Sequence, residues 1–191
     1  KKVFKCLEGS DRQKFESRIC KCAASDGHLA VLQWARAREY TWNEETCSSA
    51  AENGHLAALQ WAWDQMCPCD EWTCAKAAKN GHIAVLQWAW ARGCPWDEWT
   101  CRSAAENGHL EVLQWARAQG CPWDTGTCEG AAAEGHLAVV EWARAQGCPE
   151  NGDYVDRCLE SAARKKKWEK AKVAHKNPFP LPPAKKIKGC Y

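Results

Sequence analysis

The chain has 191 residues, enough for one substantial core or for several units that share one. Hydrophobic residues make up 46% and charged residues 26%, and no apolar run approaches the roughly 18 to 20 residues that a membrane span requires. The net charge of +2 hides an asymmetry: from Arg164 onward ten basic residues face one acid, Glu169, so that segment carries +9 and residues 1–163 carry −7. An acidic body joined to a basic tail is two electrostatic objects, each with its own class of partner.

A Gly-His pair recurs every 27 residues, at Gly27-His28, Gly54-His55, Gly81-His82, Gly108-His109 and Gly135-His136, with no insertion. A fixed period of this size marks a stacked array. In chain order, residues 1–19 read as a degenerate N-terminal capping repeat, because Phe4 and Leu7 stand 27 residues before Val31 and Trp34. Residues 20–149 hold five repeats, residues 150–170 a C-terminal capping helix, and residues 171–191 an extended, basic, Pro-rich tail. Cys158, Ala162 and Ala163 echo the repeat within the cap. Pro178, Pro180, Pro182 and Pro183 exclude helix in the tail.

One unit, residues 94–120, predicts two helices. Asp97 is an N-cap for a first helix from Glu98 to about Asn107. Trp96 and Cys101 take the two staple positions around that cap, as do Trp42 with Cys47, Trp123 with Cys128, and Cys69 with Cys74. Cys101, Ala104, Ala105 and Gly108 form one narrow buried face, and Gly108 ends the helix in the left-handed region. A second helix from about His109 to Gln119 presents Leu110, Val112, Leu113, Trp115 and Ala116 as a wide apolar stripe. Small residues on first helices and large ones on second helices should curve the stack.

The 14 cysteines mostly follow the repeat, in a column at Cys20, Cys47, Cys74, Cys101 and Cys128 and another at Cys67, Cys94, Cys121 and Cys148. Helices stacked about 8 to 10 Å apart hold neighbours in a column beyond disulfide reach. Reduced thiols in an intracellular, most simply cytoplasmic, compartment are expected. Cys67, Cys69 and Cys74 lack the C-x2-C spacing of a zinc knuckle. Neither a metal nor a cofactor is expected, and no catalytic residue is assigned.

The segment AAENGHLEVLQWARAQGC resembles the heart of an ankyrin repeat, and the resemblance extends over residues 20–149. It implies an all-α solenoid of stacked helix-turn-helix units and a protein-binding role. It also implies that the recurrent histidines bond backbone groups at the corner between helices. The T-P-L-H opening is replaced here by W-T-C or E-T-C, and the period is 27 rather than 33. The six missing residues are those from which the family builds its β-turn fingers.

Positions that vary while their surroundings repeat are the candidate contacts. Two residues before the column cysteine stand Glu45, Trp72, Trp99 and Gly126; the second such column reads Arg36, Trp63, Trp90, Arg117 and Arg144. Trp72, Trp99, Trp63 and Trp90, with Arg102 and Glu106, are thus the candidate partner-binding residues. Trp34, Trp61, Trp88, Trp115 and Trp142 do not vary and are assigned to packing. The reading is a non-enzymatic, monomeric adaptor or scaffold that binds a protein without inserting into a membrane. The alternative is a structural subunit of a large assembly, anchored by Lys165, Lys166, Lys167, Lys185, Lys186 and Lys188, with nucleic acid engaged only through that tail.

Overall fold

Asn43, Asp70, Asp97, Asp124 and Asn151 precede helix starts at 27-residue spacing, and three of them use their side chains to hold free N–H groups there. Asp70 Oδ1 accepts from the backbone N–H and the hydroxyl of Thr73, each at 3.2 Å. Asp97 Oδ1 accepts from Trp99 N–H at 3.1 Å, and Asn151 Oδ1 from Tyr154 N–H at 3.3 Å. A computed structural model describes residues 9–175, which form eleven helices and, among the described residues, no strand. The first helices are α1 (Gly9–Ser25), α3 (Glu44–Glu52), α5 (Glu71–Lys79), α7 (Glu98–Glu106) and α9 (Thr125–Ala133). Each is followed by its second helix: α2 (Leu29–Arg36), α4 (Leu56–Asp64), α6 (Ile83–Ala91), α8 (Leu110–Ala118) and α10 (Leu137–Ala145). The array closes with α11 (Gly152–His175).

The core is a set of columns rather than a single cluster. Cys20, Cys47, Cys74, Cys101 and Cys128 are fully buried along the first helices, with Ala50, Ala77, Ala104 and Ala131 beside them. Leu32, Leu59, Leu86, Leu113 and Val140 form the matching column on the second helices. Side chains as small as Cys and Ala let α1, α3, α5, α7, α9 and α11 pack directly on one another. Trp61, Trp88, Trp115 and Trp142 lie half-buried against the core of the second-helix layer; Trp34, in the first copy, is 43% exposed and edges Tyr40 at 5.5 Å.

The chain reverses at left-handed residues. Gly108 (φ 74) follows α7, its N–H donating to Ala105 O at 3.1 Å while His109 N–H donates to Ala104 O at 2.9 Å. After the second helices the same conformation falls on Gly93, Gly120 and Gly147, but on Glu39 (φ 59) and Met66 (φ 61) in the first two copies.

Both ends differ from the expected boundaries. Helix α1 starts at Gly9 and runs unbroken through the junction expected at residues 19 and 20; the reading of Phe4 and Leu7 lies outside the described residues. Glu16 stands in the capping column, 27 residues before Asn43, yet sits mid-helix. Its buried carboxylate accepts from Arg12 Nε at 2.7 Å and from Thr41 N–H at 3.4 Å, tying α1 to the next loop. At the other end Asn151 keeps the 27-residue phase, so the residue in the cysteine column is Val155, which is fully buried. Cys158, expected to mark that column, lies three residues beyond it and is half-buried, with Ala162 half-buried and Ala163 exposed. The cap fixes the register here, and α11, free of Gly and Pro after Gly152, continues past residue 170 to His175.

Candidate protein-binding face

The first helices turn one row of side chains into the core and leave the opposite row at the surface. On α5 and α7 that outer row carries Trp72 and Trp99, 47% and 40% exposed. Their ring centroids lie 6.1 Å apart at 35°, an offset arrangement within the attractive range for aromatic pairs. The row continues as a cation: Arg102 holds its guanidinium carbon 4.7 Å from the Trp99 centroid and donates from Nε to Glu106 Oε1 at 2.8 Å. The structure thus brings four of the candidate residues, Trp72, Trp99, Arg102 and Glu106, onto one continuous face.

The next repeat breaks the row. Gly126 occupies the tryptophan position on α9, and Arg102 Nη1 comes within 3.0 Å of where its Cβ would stand. Gly130, one turn on, leaves the space that the aliphatic part of Glu106 fills; any Cβ there would collide with Glu106 Cγ. The ion pair therefore leans from α7 onto α9. Beyond it opens a hollow of about 490 Å³, lined among others by Glu106, Asp124, Gly126, Glu129, Glu134 and Tyr154. Sequence comparison among the copies singled out Gly126 but passed over Gly130, Asp124, Glu129 and Glu134. The signal available was the pair of glycines at i and i+4 within one short helix, where glycine costs up to about 1 kcal/mol relative to alanine.

Trp63 and Trp90 are placed elsewhere, on the second helices α4 and α6. Trp90 stacks on Trp96 at 6.0 Å and edges Trp115 at 5.9 Å. Trp63 edges Trp88 at 6.0 Å. In the copies of Arg36, Trp90 and Arg117 a flat group covers the tryptophan six residues later, whereas six residues after Trp63 stands Cys69. Arg36 lies 4.3 Å over Trp42 and Arg117 4.1 Å over Trp123. Each of these arginines also donates to a turn carbonyl, Arg36 to Tyr40 O and Arg117 to Cys121 O. Where Glu150 replaces the covered tryptophan, Arg144 pairs with it at 2.9 Å and with Asp156 at 2.7 Å. At Arg36, Trp90 and Arg117 either residue type serves because either can lie flat on an indole.

Lys165 and Lys167 are exposed on α11. The side chain of Lys166, and Lys185, Lys186 and Lys188 altogether, lie outside the described residues. The recurrent histidines pack rather than face a ligand: the His55 ring sits on Gly27, His82 on Gly54, His109 on Gly81 and His136 on Gly108. His109 Nε2 is also 3.0 Å from Lys79 O, a backbone bond of the expected kind.

Every described cysteine is a free thiol. Cys121 and Cys148 donate to the carbonyls of Asp97 and Asp124 at 3.4 and 3.6 Å. Cys69, read from sequence as an apolar partner for Cys74, has a more polar setting. The neighbouring Cys47 and Cys94 thiols, with Thr73, hold the Cys69 thiol below the ordinary range despite burial. Burial dominates instead at Cys74 and pushes it up to about 12.

By structure, the chain is similar to the ankyrin repeat domain of human ASB11. The TM-score is 0.55 with 14% of residues identical, over 68% of this chain and 69% of that one. No protein-family model matches the sequence, and no curated protein matches it. The likeness is one of fold: paired helices joined at Gly-His corners and stacked in register form an ankyrin-repeat solenoid with a 27-residue unit. No helix of the described residues is long and apolar enough to cross a membrane.

Proposed function

We propose that the chain is a non-enzymatic protein-binding module that presents the outer row of its first helices to a partner, with Trp72 and Trp99 as anchors. One observation carries this reading. Eight other tryptophans, among them Trp61, Trp63, Trp115 and Trp123, pack half-buried against the core, and exposed Trp34 and Trp90 lean on the less exposed rings of Tyr40, Trp96 and Trp115, whereas exposed Trp72 and Trp99 face each other. Paired indoles at the middle of a rigid surface supply large contact area with little rotamer entropy to lose, which is the chemistry of binding hot spots. The recurrent polar residues support a scaffold rather than an enzyme, since His55, His82, His109 and His136 serve joints between repeats and Asp70 and Asp97 serve helix starts.

The test begins with crosslinking and mass spectrometry on the native protein, which identifies the partner. Titration with that partner then compares the wild type with the Trp72→Ala, Trp99→Ala double variant. A loss of about 2 kcal/mol or more, with the helical signal unchanged, is the expected result. An unchanged affinity removes both residues from the binding face.

A further inference from the structure

The geometry points to a basic segment of a protein partner as the occupant of this face, with an arginine or lysine side chain entering the hollow beside Gly126 and its neighbours crossing Trp99 and Trp72. This inference rests on the binding reading above and adds the chemistry of the partner.

The argument is a balance of charge on one surface. Lys21 pairs with Glu45 at 3.3 Å, Lys76 with Glu52 at 3.1 Å and Arg102 with Glu106 at 2.8 Å, so those six residues neutralise one another. What remains around the indoles and the hollow is Glu71, Glu98, Asp124, Glu129 and Glu134, none in an ion pair among the described residues, against Lys79 and the longer-range pull of the Arg102 guanidinium on Asp124 and Glu129. Glu71 and Glu98 directly precede Trp72 and Trp99 in the first turns of α5 and α7, so carboxylates recur at the same end of the helices as the indoles. Asp124 Oδ1 is buried and, among the described residues, lacks a hydrogen-bond partner.

An aromatic face edged by carboxylates suits a guanidinium or ammonium better than any other common group, because the ring quadrupole and the carboxylates attract the same sign. Arg102 already shows the mode of contact: it stacks on Trp99 and pairs with Glu106 at once. The hollow offers a second cation the same combination of acid and wall, from Glu129, Glu134 and the ring of Tyr154. An acidic peptide or a nucleic-acid backbone would meet unpaired carboxylates of its own sign on the same surface.

The test uses the full chain and defined probes: fluorescein-labelled dodecapeptides of alternating Arg-Gly, Lys-Gly and Glu-Gly, and a single-stranded RNA of matched length. The Arg-Gly and Lys-Gly peptides should bind this face, and any binding of the Glu-Gly peptide or RNA, as to the basic residues after Arg164, should not respond to changes in the face. The Glu129→Gln, Glu134→Gln double variant and the Trp72→Ala, Trp99→Ala double variant should each weaken the Arg-Gly peptide at least tenfold, with unchanged circular dichroism. Arg-Gly binding that is indifferent to the Glu129 and Glu134 changes overturns the proposal, as does Glu-Gly or RNA binding that the Trp72→Ala, Trp99→Ala double variant weakens. The binding reading is judged separately: if the crosslinked partner depends on Trp72 and Trp99 but contacts them through an acidic or apolar segment, that reading stands and the basic occupant falls.

Discussion

The imidazole of His136 rests on Gly108, its Nδ1 2.6 Å from the point where a Cβ would stand. The two residues come from different repeats, so the Gly-His pair in the sequence is two halves of two successive joints. Gly27, Gly54, Gly81 and Gly108 each turn their own helix corner and leave room for the histidine of the next copy. His28, at the first corner, is exposed, whereas His55, His82, His109 and His136 are half-buried.

This separates two costs of replacing glycine. Gly108 and Gly120 both sit at positive φ, 74° and 83°, but only Gly108 faces a histidine, and a Cβ on Gly120 would meet nothing within 4 Å. Gly120→Ala should cost about 1 kcal/mol, from backbone strain alone. Gly108→Ala should cost about 1 to 3 kcal/mol more, the range for overpacking a tight contact. Urea unfolding of the two variants makes the comparison, and equal losses would mean that the histidine contact is energetically idle.

The same column yields stabilising changes. Glu39 and Met66 hold the left-handed conformation that glycine holds in the later copies, and both are exposed, Met66 to 87%. Glu39→Gly and Met66→Gly should each raise stability by about 0.5 to 1 kcal/mol, since strain is relieved and little packing is lost. A higher thermal midpoint for each variant is the expected reading; a lower one would show that the side chains contribute contacts at these turns.

Cysteine labelling should divide the thiols by setting. Brief alkylation of the native protein, read by mass spectrometry, should modify exposed Cys22 and half-buried Cys69 well before buried Cys20, Cys47, Cys74, Cys101 and Cys128. The Cys47 and Cys94 thiols beside it favour the Cys69 thiolate. Its labelling rate should therefore change little between pH 6 and 8, whereas that of a small reference thiol rises about tenfold per unit in this range. A Cys69 rate that climbs with pH like the reference would show that its neighbours do not stabilise the thiolate.

Glu16 supplies a pH dependence of known sign. The bond from Arg12, with those from Thr41, lowers its carboxyl from the ordinary value of 4.5 in spite of burial. A depressed folded-state value means that the stabilisation is present above the unfolded-state value and disappears as pH falls through the folded one. Glu16→Gln should thus lower the urea midpoint at pH 7, with the gap to wild type narrowing below about pH 4 as both side chains become neutral. A gap that stays constant to pH 2.5 would mean that the charge on Glu16 contributes nothing.

The array itself was legible in the sequence because its determinants are local and repeated. Asp97 caps a helix within its own unit, Gly108 reverses the chain within its own unit, and the spacing of Cys101, Ala104 and Ala105 defines a face without reference to anything distant. The pairing of Trp72 with Trp99 was likewise within reach, since an invariant period places equivalent residues one above the other. Tertiary structure alone decided contacts that cross repeats or break the period. It set Arg102 and Glu106 over Gly126 and Gly130, laid Arg117 on Trp123, and carried α1 past Glu16 to the loop at Thr41. It also chose Val155 over Cys158 for the last buried column. A side chain's reach from one helix to the next depends on interhelical distance and rotamer, and neither is written in the spacing of residues along a single chain.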